Sequence, residues 1–217
     1  MVGKKVQTFF NPVTEVVVSV EEIVNKKRVG ILGGNFNPVH YTHLLMADQV
    51  YHQLGLDEIY LMPSNIPPHQ TAKRTINSDH RVKMIELAVE DYPYIGIEKI
   101  ELQREGKSYT YDTMKTLKEK NPEAEYYFII GGDMVEDLPN WHRIDELVSL
   151  VKFVGIKRPN YQVETPYPVI WVEIPETSIS SSLIRKRVKD GCSVNFMLPE
   201  KVLQYIKKEG LYLNDSL

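Results

Sequence analysis

Gly33-Gly34-Asn35-Phe36-Asn37-Pro38-Val39-His40-Tyr41-Thr42-His43 is the stretch that decides how this chain folds. It follows the apolar run Val29-Gly30-Ile31-Leu32 and precedes a helical pattern, Leu44-Leu45-Met46-Ala47-Asp48-Gln49-Val50. A strand therefore feeds a glycine turn, and two histidines enter the first turn of a helix. The glycines let backbone approach a ligand closely. The helix start offers unpaired N–H groups and the positive end of its dipole. His40 and His43 are three apart and share a face once helical. The pattern describes a phosphate site with two imidazoles aimed into it. No metal site is expected there: His-x-x-His supplies two zinc ligands, and no third is apparent.

Outward from this stretch, strand and helix patterns alternate. A helix to Leu54 stops at Gly55, and Glu58 to Met62 reads as a second strand, broken by Pro63. Ser64 to Ile76 is a loop, since Pro67-Pro68 forbids regular structure. Ser78 is the expected cap of a helix over Asp79–Glu90. A third strand is expected within Tyr94–Leu102 and a helix over Thr110–Lys120. Tyr126 to Ile130 is a short apolar run closed by Gly131-Gly132, hence a buried strand. A helix over Ile144–Leu150, strands over Val151–Ile156 and Val169–Ile174, a helix from Ser180 or Ser181 to Lys189 and a last one from Pro199 to Glu209 complete the pattern. Such alternation predicts an α/β fold, a parallel sheet with helices on both faces, in a single domain. Residues 1–27 form an N-terminal extension, with Val16 to Val20 as a candidate strand, and 28–217 the domain. Ligands of such sheets sit at the carboxyl ends of the strands. If the strands ending in Gly33-Gly34 and Gly131-Gly132 are neighbours, both loops line one crevice.

The net charge of −3 argues against a general nucleic-acid binder. No apolar run reaches transmembrane length, and the N-terminus does not read as a signal peptide. The only cysteine, Cys192, excludes an internal disulfide, which suits a cytoplasmic protein. A homo-oligomer is compatible with the sequence.

The first loop is neither the G-x-G-x-x-G fingerprint nor a P-loop. A second element, Ile179-Ser180-Ser181-Ser182-Leu183-Ile184-Arg185, starts a helix with serines and places an arginine on its first turns, within reach of an anion. Together with Leu61-Met62-Pro63-Ser64-Asn65-Ile66-Pro67-Pro68-His69, Ser108-Tyr109-Thr110-Tyr111-Asp112-Thr113, Gly131-Gly132-Asp133-Met134, Leu138-Pro139-Asn140-Trp141-His142 and Gly155-Ile156-Lys157-Arg158-Pro159, it resembles the nucleotidyltransferase superfamily. Within it the chain looks like a bacterial nicotinate-nucleotide adenylyltransferase, collinear from about Arg28 to Tyr212.

The resemblance implies a Rossmann-like fold and transfer of the adenylyl group of ATP to nicotinate mononucleotide, giving deamido-NAD and pyrophosphate, with Mg²⁺ carried mainly on the ATP phosphates. It implies His40, His43 and Arg185 as catalytic residues. Gly33, Gly34, Asn35, Phe36, Asp133, Arg158, Ser180 and Ser181 would bind ATP. Asn65, Thr110, Trp141 and His142 would bind the mononucleotide. Trp141 would stack on the pyridine, and backbone N–H groups near Thr110 and His142 would receive its carboxylate. The attacking phosphate is already ionised at neutral pH, so no general base is needed, and catalysis is alignment plus charge stabilisation.

Three residues depart from the family pattern: Thr42 replaces a glycine, Asn37 an aspartate, and Gln70 a lysine for which Lys73 or Arg74 could substitute. Alternative readings are a relative acting on nicotinamide mononucleotide, phosphopantetheine or a cytidylyl substrate, and a non-catalytic nucleotide-binding sensor.

Overall fold

Side chains alternate along the strands between two cores, and that alternation explains the layers. Tyr126, Phe128 and Ile130 point to one face, where they meet Met114, Leu138 and Leu147. Tyr127 and Ile129 point to the other, with Ala47, Met84 and Ile184. A strand buried on both faces needs helices above and below it, and consecutive parallel strands need crossovers to supply them.

The computed structural model describes residues 26–65, 75–104, 108–157 and 164–213. Among these the chain runs β1 (Arg28–Gly34), α1 (Tyr41–Leu54), β2 (Glu58–Pro63), α2 (Ser78–Val89), β3 (Ile95–Ile97), α3 (Thr110–Lys120), β4 (Glu125–Gly131), α4 (Gly132–Glu136), α5 (Ile144–Leu150), β5 (Val151–Lys157), β6 (Val169–Glu173), α6 (Ser181–Lys189) and α7 (Glu200–Lys208). All strand pairs are parallel, in the order β3-β2-β1-β4-β5-β6. The order reverses between β1 and β4, which is the topological switch point of a doubly wound sheet. The strands ending in Gly34 and Gly131 are therefore neighbours, as the crevice requires. Among the described residues no helix is long and apolar enough to cross a membrane.

Boundaries differ from the sequence pattern in a few places. The cap of α2 is Asn77, not Ser78: its side chain accepts from the Asp79 N–H at 3.0 Å. The third strand shrinks to Ile95–Ile97, because the Glu98 carboxylate accepts the Ile100 N–H at 2.8 Å and starts a 3-10 turn over Ile100–Gln103. β2 includes Pro63, and a five-residue helix, α4, follows β4 directly. The expected strand at Val16–Val20, the residues Gln70, Lys73 and Arg74, and Arg158 lie outside the described residues.

Candidate active site

β1 ends where backbone must pass close to side chains. A Cβ on Gly33 would come within 3.1 Å of the Phe128 ring, and one on Gly34 within 3.1 Å of the Phe36 ring. Phe36 turns the chain with φ of 48°, and its buried ring meets His43 edge-on at 4.8 Å. His40 is the N-cap of α1 in extended backbone, and His43 occupies the first turn. The His40 backbone N–H donates to His43 Nδ1 at 3.2 Å, and the two rings lie 3.8 Å apart. A neutral His43 whose Nδ1 accepts must carry its proton on Nε2, so it keeps a donor free.

Burial decides the charge of this pair. His40 is driven down to about 4 by desolvation. His43 falls well below the ordinary imidazole range, first by desolvation and then by repulsion from His40. Both are therefore neutral donors at pH 7 in the free protein, not fixed cations. An arriving phosphate would raise both values.

The histidines face a cavity of 690 Å³ at the carboxyl ends of β1, β2 and β4, a size suited to a small ligand. Gly33, Gly34, Asn35, Thr110, Trp141, His142 and Ser180 line it with them. Residues distant in sequence meet on its far wall: the Tyr109 and His142 rings are 4.5 Å apart, beside Trp141. Trp141 packs edge-on against Phe128 and Phe153 at 6.1 and 5.8 Å, so it belongs to the core and to the cavity at once. Its Nε1 is buried without an acceptor. Thr110 opens α3, whose cap residue Tyr109 leaves the first N–H groups without a side-chain partner.

Other expected site residues stand behind the wall. The Ser181 hydroxyl donates to the Pro38 carbonyl at 2.8 Å, and Arg185 donates to the Asn37 carbonyl at 2.7 Å and to Ser182 Oγ at 3.1 Å. In this state they brace the first loop. Ser180, which does line the cavity, caps α6, accepting from the Leu183 N–H at 3.2 Å. Phe36 is under the loop and not among the lining residues, Asp133 is exposed on α4, and Asn65 donates to the Arg104 carbonyl at 2.7 Å. Thr42, where the resemblance led to the expectation of a glycine, donates to the Ile179 carbonyl at 3.1 Å and so ties α1 to the entry of α6. Asn37 is buried, and its Oδ1 accepts from the Tyr212 hydroxyl at 2.7 Å.

Two polar residues were missed in the sequence. Glu101 is 5% exposed and lines the cavity, accepting from the Thr113 hydroxyl at 3.1 Å. Desolvation pushes its carboxyl up to about 7, against the opposing hydrogen bond from Thr113 and the charge of Arg104. Ser108 is also buried in the lining, with its hydroxyl unpartnered. Ser108 stood in a quoted motif, whereas nothing around Glu101 distinguishes it from a surface acid. Among the described residues no group of three His, Cys, Asp or Glu side chains could hold a metal.

The cytidylyltransferase-like family model matches residues 31–187. A protein of Enterococcus faecalis named "Probable nicotinate-nucleotide adenylyltransferase" is 64% identical over 190 residues, covering 88% of this chain and 87% of that protein. A Streptococcus pneumoniae protein of the same name is 61% identical over 193 residues, covering 88% and 92%. Among solved structures, Plasmodium falciparum nicotinic acid mononucleotide adenylyltransferase complexed with NaAD superposes with a TM-score of 0.73 at 25% identity, covering 86% of this chain and 97% of that one.

Proposed function

We propose that this cavity joins ATP to nicotinate mononucleotide, on the premise that the chain belongs to the cytidylyltransferase-like family and, within it, to the nicotinate-nucleotide adenylyltransferases. The enzyme transfers the adenylyl group of ATP to the mononucleotide phosphate and releases pyrophosphate, a step of NAD synthesis. One observation carries the division of labour: a neutral histidine pair on a glycine loop and an aromatic wall around Trp141 share a single cavity.

ATP lies along the first loop. His40 and His43 donate to its phosphates, and their protons become more firmly held as charge builds on the leaving pyrophosphate. Ser180 and the α6 N-terminus face the same phosphates. Arg185 and Ser181 hold the loop that carries the histidines, and Arg185 can turn to a phosphate. The mononucleotide takes the opposite wall, with its ring against Trp141 and its carboxylate toward the open N–H groups at Thr110. An amide would set its own N–H against those donors, which favours the acid. Mg²⁺ would be held mainly by the ATP phosphates, where it would supply charge stabilisation beside His40, His43 and Ser180. The same reading includes a cytoplasmic location, which the single cysteine, Cys192, supports.

The test is pyrophosphate release by the purified chain with ATP and either mononucleotide. We expect the acid to be used at least ~100-fold more efficiently than the amide, an order set by leaving buried donors unpaired. Equal use would overturn the selectivity assigned to α3. No release with either substrate would leave a nucleotide-binding sensor.

A further inference from the structure

Arg81 sits on α2, 2% exposed. Its Nη1 donates to the Asn35 carbonyl at 3.0 Å, to Asn35 Oδ1 at 3.3 Å and to the Ser64 carbonyl at 2.7 Å. Its Nε has no acceptor. None of its contacts among the described residues is a carboxylate, and the ionisable group that influences it is the Tyr212 phenol. A buried charge held only by neutral oxygens must be repaid by what it arranges.

What it arranges is the entrance to the phosphate loop. Asn35 follows β1 and Ser64 follows β2, and both line the cavity. The Ser64 N–H already donates to the Gly34 carbonyl at 2.9 Å. The guanidinium closes the same junction from below. The next residue, Phe36, is held at φ of 48°, which a bulky side chain resists. In a trans peptide the C=O and N–H point opposite ways. Drawing the Asn35 carbonyl onto Arg81 therefore fixes the Phe36 N–H away from it. Arg185, from α6, also holds a carbonyl of this loop, that of Asn37, at 2.7 Å. The described lining residues include no lysine or arginine, so these two cations act from behind the loop.

We propose that Arg81 is a positioning residue for ATP: it clamps Asn35 and Ser64 so that the strained turn at Phe36 is set before the triphosphate arrives. This rests on the reading of the cavity as an ATP site. Loss of the clamp lets the turn relax, and ATP must then restore it from its own binding energy. The mononucleotide, on the far wall, is spared.

Steady-state kinetics of Arg81→Met and Arg81→Lys test this, with melting temperature measured beside them. In Arg81→Met the KM for ATP should rise roughly ten- to a hundredfold, the loss of charge-assisted contacts expressed as affinity. The KM for nicotinate mononucleotide should move less than about threefold. Arg81→Lys, which keeps a charged nitrogen but on a shorter side chain than the one that carries Nη1 to Asn35 and Ser64, should fall between. A lowered melting temperature with both KM values unchanged would make Arg81 a structural residue only and overturn the proposal. Where Arg81→Met fails to fold, Arg81→Lys is read alone, and a wild-type KM for ATP overturns it. The wild type is run first: no pyrophosphate from it sinks the ATP reading, whereas normal turnover with unaffected variants sinks only the role of Arg81.

Discussion

His43 divides its two nitrogens between structure and chemistry. Nδ1 accepts the His40 N–H, and Nε2 is left as a donor. An asparagine can imitate the first task but is too short for the second. His43→Asn should therefore lower kcat by roughly 10²- to 10³-fold, the cost of removing one preorganised donor. Its melting temperature should stay within a few degrees of wild type; full activity in that variant would refute the role. Trp141 makes the opposite case, because its ring serves both core and cavity. Trp141→Ala should cost about 3 kcal/mol in denaturant unfolding and raise the mononucleotide KM while sparing that of ATP. Equal effects on both KM values would reduce Trp141 to packing. Burial also gives two pH dependences of opposite sign. His40, lowered from 6.5 to about 4, destabilises the fold as pH falls below 6.5, because the unfolded chain then takes the proton more readily. Glu101, raised from 4.5 to about 7, destabilises it as pH rises from 4.5 toward 7, where the unfolded chain ionises first. Glu101→Gln should abolish the second slope in a melting-temperature profile and leave the first; a profile unchanged by it would show that Glu101 titrates normally.

At the scale of elements, α6 is a brace as much as a phosphate site. Its Ser181 and Arg185 hold the carbonyls of Pro38 and Asn37, while Thr42 on α1 reaches back to the Ile179 carbonyl. Ser181→Ala removes one of these ties and should cost about 1 kcal/mol of stability. It should also raise the KM for ATP a fewfold by loosening the loop; a stability loss without any change in KM would leave the brace structural alone. The longer elements were legible because periodicity and punctuation agree: Gly55 stops α1 in the left-handed region at φ of 58°, and α3 runs over Thr110–Lys120 as expected. The short ones were not. α4 has five residues, too few to show a period, and the Glu98 side chain that ends the third strand acts through a contact that sequence spacing does not distinguish from an exposed acid. Asn77 and Ser78 are both good caps, and only the backbone decided between them.

At the scale of the molecule, the sheet order is what turns separate motifs into a site. The alternation of strands and helices implied a parallel sheet, but adjacency of the two glycine-ended strands was a condition that sequence could state and not settle. The observed order puts β1 beside β4 and opens the crevice between them. Motif residues that line it, such as His40, Thr110 and Trp141, were legible because their chemistry is marked by neighbours in sequence. Arg81 and Glu101 were not, because their meaning comes from burial that tertiary packing creates. The same order bears on the N-terminal extension. Every strand of the described sheet, both cores and the described cavity lining begin at residue 28 or later. The first strand is anchored at its start by the Arg28 N–H on the Asp57 carboxylate at 2.7 Å, and by the Glu125 N–H on the Lys27 carbonyl at 2.8 Å. A chain beginning at Lys26 retains both contacts. It should fold, melt within about 2 °C of the full chain and keep kcat and both KM values within about twofold, because it keeps every described strand, both described cores and the described lining whole. Thermal denaturation and steady-state kinetics of the shortened protein check this. A large rise in one KM without a change in melting temperature would instead make residues 1–25 part of the substrate site, and the domain boundary near residue 27 would have to be abandoned.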